Sequence, residues 1–283
     1  MRNTIIIVLL LLCSCEDVID IDIDSGAERL VVEGWVYESS PTAYVRLTRT
    51  VGYLAEEPNP VVDDAVVTIV TNESQVDTLE YTENGYYRTS EVIGGVGDVY
   101  HTEIVLSDGR RVVSRPDTLY DVDGLVELKF LPKNQIPGGS LLPADFFPTI
   151  SYRNMEGRNY YRYKFIVNGI YLNNPSNIQV ESDAGIQPDT TIRDRPLFIN
   201  GDNGGLYMFQ DGDQLEVVQA SISKQAFRFF SLLNEQVNSS GGPFDTPPAP
   251  IPGNLYYPDD EDDEVVGFFG ATKEDTSMVI IEK

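Results

Sequence analysis

Groups that can move a proton, hold a metal or attack a substrate are unevenly supplied along these 283 residues. There is one histidine, His101. A serine hydrolase would need it as a base beside a strained nucleophile turn, and no Gly-x-Ser-x-Gly turn occurs. A zinc site would need more imidazole or thiolate ligands than one histidine and two cysteines provide. His101 therefore reads as a histidine satisfied within a strand. Carboxylates are abundant instead, 45 in all. A pair of them could hydrolyse a glycosidic bond at a separation of roughly 5–10 Å, but spacing along a chain does not set distance across sheets. Asp20, Asp22 and Asp24 alternate as in a calcium loop. Glycine, however, falls at the seventh position (Gly26), and the twelfth is Val31 rather than a glutamate, so no calcium is expected. The glycine pairs precede turns or prolines without a following helix and lysine, which argues against a phosphate-cradling loop. No metal or other cofactor is expected, and the chain reads as a non-enzyme.

Both cysteines, Cys13 and Cys15, stand near the start, behind Arg2 and an unbroken apolar run at 5–12. That run is too short for a spanning helix of about 20 residues and has the proportions of a secretory signal. The tetrad 12–15, Leu-Cys-Ser-Cys, resembles a bacterial lipobox. Cys15 follows the small Ser14 and takes the lipidated position better than Cys13, which follows Leu12. The expected division is a signal peptide at 1–14 and a lipidated tether at 15–28, ahead of a body without thiols or disulfides. One acyl chain binds a membrane only marginally, and a triacylated cysteine meets the need for more. Glu16 and Asp17 directly after Cys15 resemble the surface-export signal of Bacteroidetes lipoproteins. The expected location is thus the outer membrane, lipid-anchored and facing the cell surface.

The formal net charge is −25. Each phosphate contact would draw on a scarce cation, so nucleic acid is not an expected partner. Nothing in the composition sets an oligomeric state.

The elements that would position any site are mostly strands. Segments 30–37, 43–50 and 65–71 are rich in β-branched and aromatic residues and bounded by turn formers. Asn84-Gly85 and Asp108-Gly109 mark two hairpins. About seven short strands at 29–117 predict an immunoglobulin-like β-sandwich, without its cysteine pin and with Trp35 as a core anchor. A second β-sandwich-like domain is expected at 118–283, with strands at 126–131, 160–167, 206–209, 215–221, 265–271 and 278–282. It carries one helix at 224–237, capped by Ser223, with Ala226, Phe227, Phe230, Leu233 and Val237 at three- and four-residue steps. The acidic run 259–264 reads as a solvated loop. In the pairs Tyr86-Tyr87, Tyr160-Tyr161 and Tyr256-Tyr257, an extended backbone turns one ring to each face. The proline-rich stretch 244–257, bounded by Phe244, Tyr256 and Tyr257, is the candidate contact surface for a partner or ligand.

Several of these phrases occur together in a known order. The segments 30–36, 97–109 and 159–161 resemble blocks of a family of Bacteroidetes outer-membrane lipoproteins that carry an uncharacterised domain. So do Gly242 to Phe244, Pro247-Pro248, Gly253-Asn254 and 267–270. The resemblance implies a setting beside SusC-like TonB-dependent transporters, hence an accessory or ligand-binding role in nutrient uptake. It implies no catalytic residue. A surface adhesion or structural module is the alternative, and a glycan hydrolase a more distant one.

Overall fold

The computed structural model describes residues 27–282, apart from 39–42, 53–54, 56, 90, 92–93, 137–140, 142–143, 203, 239–250 and 261–262. Cys15, Glu16, Asp17, the three alternating aspartates and Phe244 lie outside the described residues. Among the described residues the fold is mostly β with one α-helix, as expected. The first strands are β1 (Leu30–Tyr37), β2 (Ala43–Arg49), β3 (Val66–Thr71), β4 (Gln75–Glu83) and β5 (Tyr86–Thr89). β6 (Val99–Val105), β7 (Arg111–Ser114) and β8 (Asp117–Thr118) follow. Then come β9 (Leu125–Pro132), β10 (Phe146–Arg153), β11 (Tyr160–Val167), β12 (Ile170–Tyr171), β13 (Gln179–Ser182) and β14 (Thr191–Pro196). The chain closes with β15 (Gln214–Ser221), α1 (Lys224–Val237), β16 (Leu255–Tyr256), β17 (Val266–Thr272) and β18 (Glu274–Ile280).

The main sheet has ten strands, nine along the path β16-β7-β6-β3-β4-β5-β2-β1-β17 and β8 beside β6. It has two walls that share β4, whose first half pairs with β3 and second half with β5. The alternating inward residues fill the space between them, among them Val32, Val45, Leu47, Ile69, Tyr87, Tyr100, Ile104 and Phe269. Asn84 (φ 50°) and Gly85 (φ 80°) make the two-residue turn that joins β4 to β5, because both tolerate positive φ.

The end strands of this sheet are supplied by the chain's last fifth. β17 lies parallel to β1, with Val31 opposite Val266, and β16 pairs with β7. Asn254 nearly closes the sheet into a barrel. Its amide donates to the Phe269 carbonyl (2.7 Å) and accepts from the Phe269 N–H (3.0 Å), so one buried side chain makes the hydrogen bonds of a strand rung. The backbones pass so closely here that a Cβ on Gly267 (φ 116°) would overlap the Val32 carbonyl. Sheet membership therefore does not follow the sequence division at 117/118.

Two smaller sheets, β14-β10-β9 and β12-β11-β15-β18 with β13 beside β11, share a second core. Ile150 and Tyr152 enter it from β10, Tyr161, Tyr163 and Phe165 from β11, and Leu215 and Val217 from β15. α1 spans the predicted residues, and Ser223 caps it by accepting from Ala226 N–H at 3.1 Å. Its apolar stripe lies on the outer face of the main sheet, where Phe230 stacks on Trp35 at 6.0 Å and Phe229 meets Phe268 at 5.3 Å. Trp35 is thus a packing anchor on the helix side of its strand.

Residues 206–209, expected as a strand, make a single bridge from Leu206 to Asn200. Tyr207 and Phe209 pack ring against ring at 4.7 Å, and Phe209 meets Phe130 at 5.0 Å, so the apolar signal there reports burial without a ladder.

Candidate functional site

The contact stretch expected near 244–257 is described from Ile251 onward. Residues 251–256 and the end of α1 line the two sides of a groove of about 810 Å³. Its walls are apolar: Phe229 and Leu233 from the helix, Ile251, Pro252, Leu255 and Tyr256 from the strap, and Val265 and Val266 leading into β17. That size and character match small-ligand sites, which run from roughly 300 to 1,000 Å³ with few polar groups. The polar rim is Arg29, Gln236, Asp263 and Glu264.

Strand alternation sorts the two tyrosines. Tyr256 is 43% exposed and sits 5.9 Å beneath the Arg115 guanidinium. Tyr257 is 4% exposed and belongs to the main core, capped by Arg110 at 5.4 Å. Tyr86-Tyr87 and Tyr160-Tyr161 divide in the same way, with Tyr87 and Tyr161 buried and their neighbours half-buried. Of the two described tyrosines singled out from sequence, only Tyr256 faces the groove.

The acidic run is more than a solvated loop at its end. Asp263 accepts from Arg110 at 3.0 Å, and Glu264 pairs with Arg29 at 2.9 Å. Arg110 also holds Asp108 at 2.8 Å. These pairs are largely exposed and add little stability, but they position the groove rim.

His101 lies on β6 with Nε2 3.5 Å from Glu103 Oε1, and Arg111 shares that carboxylate at 3.2 Å. Among the described residues, no three His, Cys, Asp or Glu side chains are grouped to hold a metal ion. Among them, too, no helix is long and apolar enough to cross a membrane.

A cation–aromatic ladder on the outer face of β1, β2 and β5 was not foreseen. The Tyr86 ring carries Arg46 at 5.2 Å and Arg88 at 4.6 Å, Tyr44 lies 5.5 Å from Tyr86, and Lys164 stands 5.5 Å over Tyr37. Burial, above all, pushes the Tyr37 and Tyr44 phenols far above their ordinary range. They stay protonated, and Tyr44 donates to Glu33 at 3.0 Å. The strand register places these groups side by side, with Tyr44 opposite Arg88 and Arg46 opposite Tyr86. Alternation alone shows only that they share a face.

Over the described residues, fold and groove define a mostly β body with one helix, a nearly closed main sheet and an apolar cleft between helix and closing strap. The chain belongs to the family described as Domain of unknown function (DUF4249), whose model matches residues 16–278. No curated protein matches the chain.

Proposed function

We propose that this chain is a non-catalytic, surface-exposed outer-membrane lipoprotein, an accessory or ligand-binding partner of a SusC-like TonB-dependent nutrient transporter. The observation that carries the binding role is the groove between α1 and the 251–256 strap, apolar within and ringed by Arg29, Asp263 and Glu264. Cys15 provides the lipid anchor and Glu16-Asp17 the surface address. The family match beginning at residue 16, directly after that cysteine, supports this reading. The two walls of the main sheet are an immunoglobulin-like sandwich rolled nearly shut, and the two smaller sheets form a second sandwich.

The partnership is tested by solubilising membranes in mild detergent, capturing the lipidated protein and probing for the transporter encoded beside it. Co-purification that weakens on Tyr256→Ala is the expected result; absence of the transporter from the captured material refutes the partnership. Loss of uptake on deletion supports the accessory role, whereas loss of attachment with normal uptake supports an adhesion module.

A further inference from the structure

Three chain segments that leave the main sheet or the five-stranded sheet meet at one buried polar node. They are the stretch after β8, the turn from β15 into α1, and the join of β17 to β18. Ser221 ties them together. Its hydroxyl donates to the Tyr120 carbonyl (2.6 Å) and accepts from Lys273 N–H (3.0 Å), while its carbonyl accepts from the Thr272 hydroxyl (2.7 Å).

Asp117 lies in the same node, 2% exposed. Oδ2 accepts from Ala271 N–H on β17 at 3.1 Å, and Oδ1, sealed from solvent, makes no hydrogen bond. The other polar groups acting on the carboxyl are the hydroxyl of Ser223, which caps α1, and the Thr118 N–H. The charged groups of the surrounding elements are engaged elsewhere or point outward. Lys273 pairs with Asp121 at 2.6 Å and Lys164 with Glu274. On β6 and its approach, His101 lies near Glu103 and Asp98 accepts from the Tyr100 hydroxyl, while Lys224 at the start of α1 is exposed. No charged group acts appreciably on the Asp117 carboxyl.

We propose that Asp117 is a proton-operated clamp: with its carboxyl neutral, β8, β17 and the N-terminus of α1 close on one another, and with it ionised the joint loosens and shifts the α1 wall of the groove. A carboxylate without a cation, and with one oxygen unbonded, gains solvation only when water reaches the joint. Burial lifts the group to about 6, against the opposing pull of Ser223, Ala271 and Thr118. The clamp therefore changes state well above the range in which an ordinary aspartate titrates. Its coupling to the groove rests on the groove being a binding site; the clamp itself does not.

The chain carries its own reporter. Trp35 is the only tryptophan, and a Cβ on Gly270 would lie 2.9 Å from both the Trp35 ring and Asp117 Oδ2. The indole and the carboxyl thus both crowd the face of this glycine where a side chain would project, and the indole also stacks on Phe230 of α1. Tryptophan emission of the full chain is followed from roughly pH 4.5 to 8, across the window in which a raised carboxyl or a histidine titrates. The expected result is one transition centred near 6, lost in Asp117→Asn and kept in His101→Gln. Should Asp117→Asn fail to fold, Ser223→Ala removes a hydroxyl that favours the ionised form and moves the midpoint upward. A transition abolished by His101→Gln, one untouched by the Asp117 and Ser223 variants, or none at all, overturns the clamp. An apolar fluorescent dye bound in the groove reads the coupling separately: affinity that changes across the transition supports it, and affinity flat across the transition overturns it.

Discussion

Replacing Asn254 by alanine removes a side chain whose hydrogen bonds substitute for a strand pair. In the intact protein its amide satisfies both the N–H and the carbonyl of Phe269, a residue with no solvent exposure. Alanine leaves that N–H and that carbonyl buried without partners, because Gly253 and Gly267 already hold the flanking backbones at closest approach. An orphaned buried group costs about 1–3 kcal/mol, so two of them predict a loss of about 2–6 kcal/mol. Against a typical stability of about 5–15 kcal/mol, that is a large fraction. Urea unfolding followed by Trp35 emission measures it, with the denaturant slope expected to hold while the midpoint falls. Asn254→Asp sharpens the test: the carboxylate still accepts from Phe269 N–H but faces the Phe269 carbonyl without a donor. Its loss should therefore be greater at neutral pH than in mild acid, where a protonated carboxyl can donate. A loss below about 1 kcal/mol for Asn254→Ala, with an unchanged slope, would refute the claim that this side chain closes the sheet.

Three further outcomes follow from the same geometry. Asp117 is raised from 3.8 to about 6 on folding, so the folded chain holds the extra proton between those values. Stability should fall by about 3 kcal/mol as pH rises through that window and stay lower above it, and Asp117→Asn should flatten that slope in denaturation curves taken across pH. Gly267→Ala places a methyl against the Val32 carbonyl at positive φ, a loss of about 3 kcal/mol or more by the same unfolding assay. Tyr257→Ala should cost about 3–5 kcal/mol as a core truncation and Tyr256→Ala under about 1; equal losses would contradict the assignment of one ring to the core and the other to the groove.

What could be read without the structure was whatever is written locally. The helix was legible because a polar cap and an apolar stripe coincide over four turns, and the β4–β5 hairpin because Asn84-Gly85 tolerates the positive φ its turn needs. β13 and β14 were missed because their residues, Gln179–Ser182 and Thr191–Pro196, are mostly polar and lie at or near sheet edges. The pairings of β17 with β1 and β16 with β7 join residues more than a hundred positions apart, and no local pattern encodes a distant partner. The candidate site divides the same way. Tyr256 was foreseen because strand alternation exposes one residue of a pair. Phe229, Leu233 and Arg29, which complete the groove, come from the helix and from the residue before β1. Asn254 stood in a recognisable Gly-Asn pair, but nothing in that pair announces a buried side chain doing a backbone's work.

The parallel pairing of β1 with β17 also sets when this chain can finish folding. Val31 finds its partner only once Val266 has been made, so the sheet cannot lock while the nascent chain is still growing. Ordering so long an intervening stretch before that contact forms favours late completion. The first described strand thus waits for a partner made more than two hundred residues later, and until that partner exists the main sheet keeps an open edge along β1.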